Sequence, residues 1–229
     1  SLSAPIPFSR PMFPDPACHS VKICGITRPE QAAEIFALGA DAVGINLWPK
    51  SKRHMPLSVA ETSLQDVAAK NALVAVLVNP DDALLDAAVG SGLFQALQLH
   101  GDETSQDVER LMNRGVNVIK ALQVRDAASL PQIGEFPCRA ILLDAYNPGT
   151  YGGGGHAFPW ELAVRAQEMF PTKHILLSGG LNADNVRQAV QQTHPIAVDV
   201  ASGVESAPGV KDLEQVARFI AEARAGWAC

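Results

Sequence analysis

Residues 72–78 read Ala72-Leu73-Val74-Ala75-Val76-Leu77-Val78, seven apolar positions in a row with no polar residue between them. A strand with one wet face alternates apolar and polar side chains. A strand that is apolar at every position is covered on both faces, the situation of a parallel sheet with helices packed outside it. The neighbouring segments fit that reading. Asp81–Gly90 opens on acidic residues and closes on glycine, the polarity a helix prefers. Upstream, Asp41–Leu47 is a second β-rich run. The same unit recurs at Val21–Gly25, Ala96–His100, Val116–Leu122, Ala140–Asp144, His174–Ser178 and Ile196–Ala201. Between these runs lie helix-sized amphipathic stretches. Pro29 suits a first helical turn after Thr27, whose hydroxyl is placed to cap it, and Gly39 stops the pattern. Asn182–Gln192 begins on a capping residue, and Lys211–Ala225 follows the last run.

Eight strand–helix units describe a (β/α)8 barrel, although an open doubly wound sheet uses the same units. Two observations favour the barrel: no change of composition divides the chain, and 229 residues suit one compact barrel. A chain of this length buries roughly 70–75% of its unfolded surface, so folding requires neither staple nor metal. The expectation is therefore a single α/β domain over residues 21–229. Residues 1–20 hold five prolines and no sustained apolar run, and are expected to form a loosely ordered tail.

Composition narrows the function. Hydrophobic residues make up 47% and charged residues 18%, too apolar for disorder, and no uninterrupted run is long enough for a membrane span. A net charge of −6 and a pI near 5.5 argue against nucleic acid as partner. The four cysteines (Cys18, Cys24, Cys138 and Cys229) are scattered, without the spacing of a disulfide framework or a zinc site. A cytoplasmic protein without metal follows as the expectation.

In such a barrel, chemistry gathers where strands end. Cys24 ends the first expected strand, Asn46 lies near the end of the second, and His100 ends the fourth. Asp144 ends the sixth, Ser178 the seventh, and Asp199 lies near the end of the eighth. Each has a plainer reading: a buried thiol, a helix cap, or, for Asp199, a counter-charge to Lys22. Cys24 stands out because Gly25 and Thr27 follow it in a loop, and Lys22, pointing inward one layer below, would favour its thiolate. Glycine adds a second signal. Gly153, Gly154 and Gly155 follow the sixth strand, Gly179 and Gly180 the seventh, and Ser202 and Gly203 the eighth. Backbone amides in such loops converge on an anion, and phosphate sites in these barrels frequently follow strands seven and eight. Arg53 adds a mobile cation after strand two. The residues themselves thus suggest a cofactor-free enzyme acting on a small phosphorylated molecule, with Cys24 and Asp144 moving protons. No Walker A, dinucleotide fingerprint or H-E-x-x-H sequence is present.

Together, these blocks resemble one family, phosphoribosylanthranilate isomerase of tryptophan biosynthesis. The resemblance rests on Val21–Thr27, Gly39–Gly44, Pro49–Arg53, Gln98–Glu103, Leu142–Asp144, Tyr151–Gly153, Leu177–Asn182 and Val198–Glu205, in family order from about residue 21 to about 222. It implies a cofactor-free Amadori rearrangement of N-(5-phosphoribosyl)anthranilate. In that reaction Asp144 would be the general acid and Cys24, as thiolate, the general base. Arg53 would meet the anthranilate carboxylate, His100 and Asp199 would line the pocket, and the glycine loops would hold phosphate. The chain departs from the family pattern at Gly154, His156, Pro159 and Asn46-Leu47, positions that bear on affinity and on the loop after strand six. The rival readings are a metal-dependent sugar-phosphate epimerase, a barrel isomerase using paired Asp residues, and a phosphate-binding scaffold without catalysis. His100 alone meets the epimerase's demand for strand-end histidines, and the Cys24 block argues against paired Asp residues. A monomer or a homodimer is compatible with the sequence.

Overall fold

A computed structural model describes residues 10–149, 151–152 and 157–228. Eight parallel strands close into a barrel: β1 (Ser20–Cys24), β2 (Ala42–Asn46), β3 (Ala72–Leu77), β4 (Phe94–Leu99), β5 (Val118–Val124), β6 (Ala140–Ala145), β7 (His174–Leu177) and β8 (Ala197–Val200). Closure is made by β8 against β1, with Lys22 opposite Asp199 in register. Outside them lie α1 (Glu30–Ala37), α2 (Leu57–Ser63), α3 (Gln65–Lys70), α4 (Asp82–Gly90), α5 (Ser105–Asn113), α6 (Trp160–Met169), α7 (Val186–Thr193) and α8 (Leu213–Trp227). The barrel expectation holds.

Side chains cap three of the eight α-helices: α4, α5 and α8. The Asp81 carboxylate accepts from the Leu84 amide, and Thr104 and Asp107 form a reciprocal capping box on α5. Four expectations need correction. The Thr27 hydroxyl does not cap α1; it donates to the Gly209 carbonyl, 2.9 Å away. After β5 the outer layer is a 3₁₀ segment, Ala127–Glu135, because Pro131 interrupts α-helical hydrogen bonding. The Asn182 side chain accepts from the amides of Asp184 and Asn185 in a turn, and α7 starts only at Val186. Lys211 does not open the last helix; it belongs to a small antiparallel hairpin, β9 (Glu205–Ala207) and β10 (Val210–Lys211). Asp212 then caps α8.

Apolar burial forms two shells. The larger joins the outward faces of the strands to the helices, for example Ile23, Val43, Leu73 and Leu143 with Ile35 and Phe219. The inner shell lies in the barrel, where small residues predominate at the base: Ala42, Ala72, Ala96, Ala140 and Ala197. Five methyl side chains leave a void at that level, and Phe13 fills it completely buried, with its carbonyl held by the Asn117 amide at 2.8 Å. Within the stretch expected as a loose tail, residues 10–20 therefore carry the barrel's plug, while residues 1–9 lie outside the described residues. The segment entering β1 and the end of α8 also meet at the base: the His19 ring stacks on Trp227 at 5.0 Å, and Arg224 donates to the His19 carbonyl. Removing the plug should be expensive. We expect Phe13→Ala to lower unfolding free energy by about 3–5 kcal/mol in urea titration. An unchanged midpoint would mean that the alanine layer closes without it.

Candidate active site

Side chains alternate in and out along each strand, so the inward row changes from alanine at the base to polar groups at the carboxyl ends. On β1 that row is Ser20, Lys22 and Cys24; on β6 it is Ala140, Leu142 and Asp144. At the mouth these rows border a cavity of about 520 Å³. Cys24, Arg53, His100, Asp144 and Asp199 all line it, as do Gly179, Gly180, Ser202 and Gly203. Gly153, Gly154 and Gly155, also expected at the anion site, lie outside the described residues, as does His156. Among the described residues no group of three or more His, Cys, Asp or Glu is arranged to hold a metal. No described helix is long and apolar enough to cross a membrane.

Cys24 sits against Gly44 on the neighbouring strand. A Cβ at residue 44 would come within 2.5 Å of the Cys24 sulfur, so the thiol occupies space that only glycine leaves. Beneath it, the wholly buried Lys22 ammonium is 2.8 Å from Asp199 Oδ1, and Ser178 donates to Oδ2 at 3.1 Å. The expected counter-charge role of Asp199 is thus present, and both its oxygens are engaged. Lys22 does favour the Cys24 thiolate, as expected, but burial outweighs it. Burial is the dominant influence and pushes the thiol up from its ordinary value; Lys22 and Lys211 pull it down, while Asp199 opposes them. Lys22 is itself held above its usual range: burial works against the ammonium, but Asp199 and the thiol outweigh it.

Asp144 is oriented by two contacts. Its Oδ1 accepts from the Ala145 amide at 2.8 Å, and its Oδ2 lies 3.3 Å from His100 Nε2. The buried Gln98 amide nitrogen is 3.0 Å from His100 Nδ1. With Gln98 donating, His100 carries its proton on Nε2 and turns it toward Asp144. Gly179, at φ +86, follows β7; a Cβ there would reach to 3.0 Å from Asp144 Oδ1. On the rim, Trp48 meets Tyr151 edge-on at 5.7 Å. Asn46, one of the departures noted above, accepts from the Trp48 amide at 3.0 Å and so shapes that rim.

Arg53 is not the free cation the sequence suggested. Its guanidinium grips Glu205 through Nε at 2.8 Å and Nη2 at 2.6 Å. Glu205 also accepts from Lys211 at 2.9 Å and from the Gly209 amide. Burial pushes this carboxyl up, yet Arg53 and Lys211 overcome that and hold it below its usual range. Glu205 and Lys211 escaped the sequence reading as site residues, because nothing in their spacing announces a hairpin that folds back over β1. The Pro208-Gly209 pair is the one local sign of a turn.

A profile of the N-(5'-phosphoribosyl)anthranilate (PRA) isomerase family matches residues 21–222, all eight strands but the first residue of β1. The chain belongs to this family. Relatives bearing the name N-(5'-phosphoribosyl)anthranilate isomerase include those of Geobacter metallireducens and Rubrobacter xylanophilus. The first is 41% identical over 205 residues, covering 90% of this chain and 98% of that protein. The second is 42% identical over 206 residues, covering 89% and 98%. The phosphoribosylanthranilate isomerase of Thermotoga maritima, a solved structure, superposes with a TM-score of 0.80 at 38% identity, covering 90% of this chain and 98% of that one. Another, at 0.77 and 37% over the same shares, is a phosphoribosylanthranilate isomerase in complex with reduced 1-(o-carboxyphenylamino)-1-deoxyribulose 5-phosphate.

Proposed function

We propose that this chain is the isomerase its family name describes, converting N-(5-phosphoribosyl)anthranilate to 1-(2-carboxyphenylamino)-1-deoxyribulose 5-phosphate for tryptophan biosynthesis in the cytoplasm. The observation that carries this reading is the convergence of Cys24, Asp144 and the Gly179-Gly180 and Ser202-Gly203 loops on one cavity. Asp144, aimed by His100 and the Ala145 amide, gives a proton to the ribose ring oxygen as the C1–O bond breaks. The anilino nitrogen lone pair forms the Schiff base. Cys24 as thiolate then removes the C2 proton, leaving an enolamine that tautomerises to the ketone. One proton is given and one is taken, so the reaction is a net isomerisation. Each positioned group contributes about 10²–10⁴ in rate. Backbone amides of the loops after β7 and β8 take the phosphate, and Arg53 meets the anthranilate carboxylate.

The thiol is pushed up by burial, so thiolate is its minority form near neutrality and kcat/KM should rise with pH on that limb. The direct test follows the fluorescence of the anthranilate substrate as it is consumed, with inorganic phosphate added. We expect turnover, and competition by phosphate. Phosphate binding without turnover would indicate a scaffold; turnover insensitive to phosphate would remove the glycine loops from the anion site.

A further inference from the structure

Between β8 and α8 the chain makes an excursion that barrel closure does not require, the β9–β10 hairpin. It is pinned to the loop after β1, where the Thr27 amide and hydroxyl both donate to the Gly209 carbonyl. Gln31 of α1 holds it from the other side, accepting from the Lys211 amide and donating to its carbonyl. The buried Lys211 ammonium donates to the Cys24 carbonyl at 2.6 Å, the Ala201 carbonyl at 3.2 Å and Glu205 Oε2 at 2.9 Å. Three acceptors match the three protons of an ammonium; a neutral amine has only two to offer. Lys211 is therefore charged, although burial pulls its pKa below the usual range against the pull of Glu205.

The charges facing Cys24 come from three directions. Lys22 and Asp199 lie below it in the barrel, Lys211 on the hairpin, and Arg53 on the loop after β2. Lys22 and Asp199 balance in formal charge, with Lys22 acting on the thiol the more strongly of the two. Arg53 and Lys211 share the single carboxylate of Glu205, which leaves one positive charge without a partner at the thiol's side of the cavity. We propose that the β9–β10 hairpin is a charge-bearing strap and Lys211 a positioning residue: its ammonium anchors the end of β1 through the Cys24 carbonyl and supplies the unbalanced charge that supports the Cys24 thiolate. This rests on the reading of Cys24 as the base. Glu205 sets the size of that charge, because it is the only carboxylate the described residues place between the two cations.

The two residues must then act with opposite signs. Iodoacetamide alkylates the thiolate, so below the thiol's pKa the reaction rate at fixed pH reports the thiolate fraction. In the full-length protein at pH 8, with the Cys24 peptide followed by mass spectrometry, Lys211→Met should slow alkylation about tenfold, the equivalent of a one-unit rise in pKa. Glu205→Gln keeps the shape and an acceptor but removes the negative charge, and should accelerate alkylation several-fold. Exposed Cys18 should react at one rate in every variant, serving as the internal control. Lys211→Arg should restore most of the lost rate. Equal rates at Cys24 across the series, or slowing by both Lys211→Met and Glu205→Gln, would overturn the inference. If Lys211→Met does not fold, the direction of the Glu205→Gln change still decides. Near-normal turnover in Cys24→Ser would instead remove the base reading, and it would leave the alkylation result standing.

Discussion

Cys24→Ser should lower kcat by about 10²-fold or more, with a smaller change in KM. A hydroxyl is a much weaker base than a thiol in the same place, whereas the contacts assigned to phosphate and carboxylate lie elsewhere. A hundredfold loss corresponds to about 2.7 kcal/mol of transition-state stabilisation. The substitution is sterically mild, because serine is smaller and Gly44 already leaves room for sulfur. The other thiols provide the comparison. Cys18 is exposed near the barrel base, and buried Cys138 donates to the Ala140 carbonyl at the start of β6, away from the mouth. Serine at either position should leave kcat unchanged. Near-normal turnover in Cys24→Ser, measured at saturating substrate, would take the thiol out of the reaction.

Asp144→Asn should cost about 10² or more in turnover, since the amide keeps the shape but has no transferable carboxyl proton. The Ala145 amide can still donate to the retained oxygen. The new NH₂ group faces the Nε2–H of His100, donor against donor, so His100 and Gln98 must reorganise. That second consequence makes the loss ambiguous when the natural substrate alone is used. A substrate analogue whose ring is already open separates the two, because it bypasses protonation of the ring oxygen but still needs a base at C2. On that analogue Asp144→Asn should recover much of its rate and Cys24→Ser should not. Equal defects in both variants would assign Asp144 a role other than ring opening.

The apolar run at Ala72–Val78 made the barrel legible because strand burial on both faces is written at every position of a strand. Strand-end polar residues were legible for a related reason: period-two alternation places Cys24 and Asp144 inward once the strand is located. What stayed hidden depends on partners distant in sequence. Phe13 lies in a proline-rich stretch that looks like a tail, and its burial follows from alanines contributed by five separate strands. Arg53 reads as a mobile cation until Glu205, 152 residues away, is folded against it. Lys22 was expected to activate the thiol, but the outcome depends on Asp199 and on burial, and neither magnitude can be read from composition. The Gln98–His100–Asp144 chain was half visible, since Gln98 and His100 share a strand face while Asp144 arrives from another strand.

The contact of His19 with Trp227 and Arg224 has a consequence for how the chain tolerates attachment. The segment entering β1 and the end of α8 are moored together at the floor of the barrel, roughly one strand length, or about 20 Å, from the mouth. A second folded domain spliced before Arg10 or after Ala228 would hang beneath that floor, where it neither obstructs the cavity at the mouth nor pulls on the loops that line it.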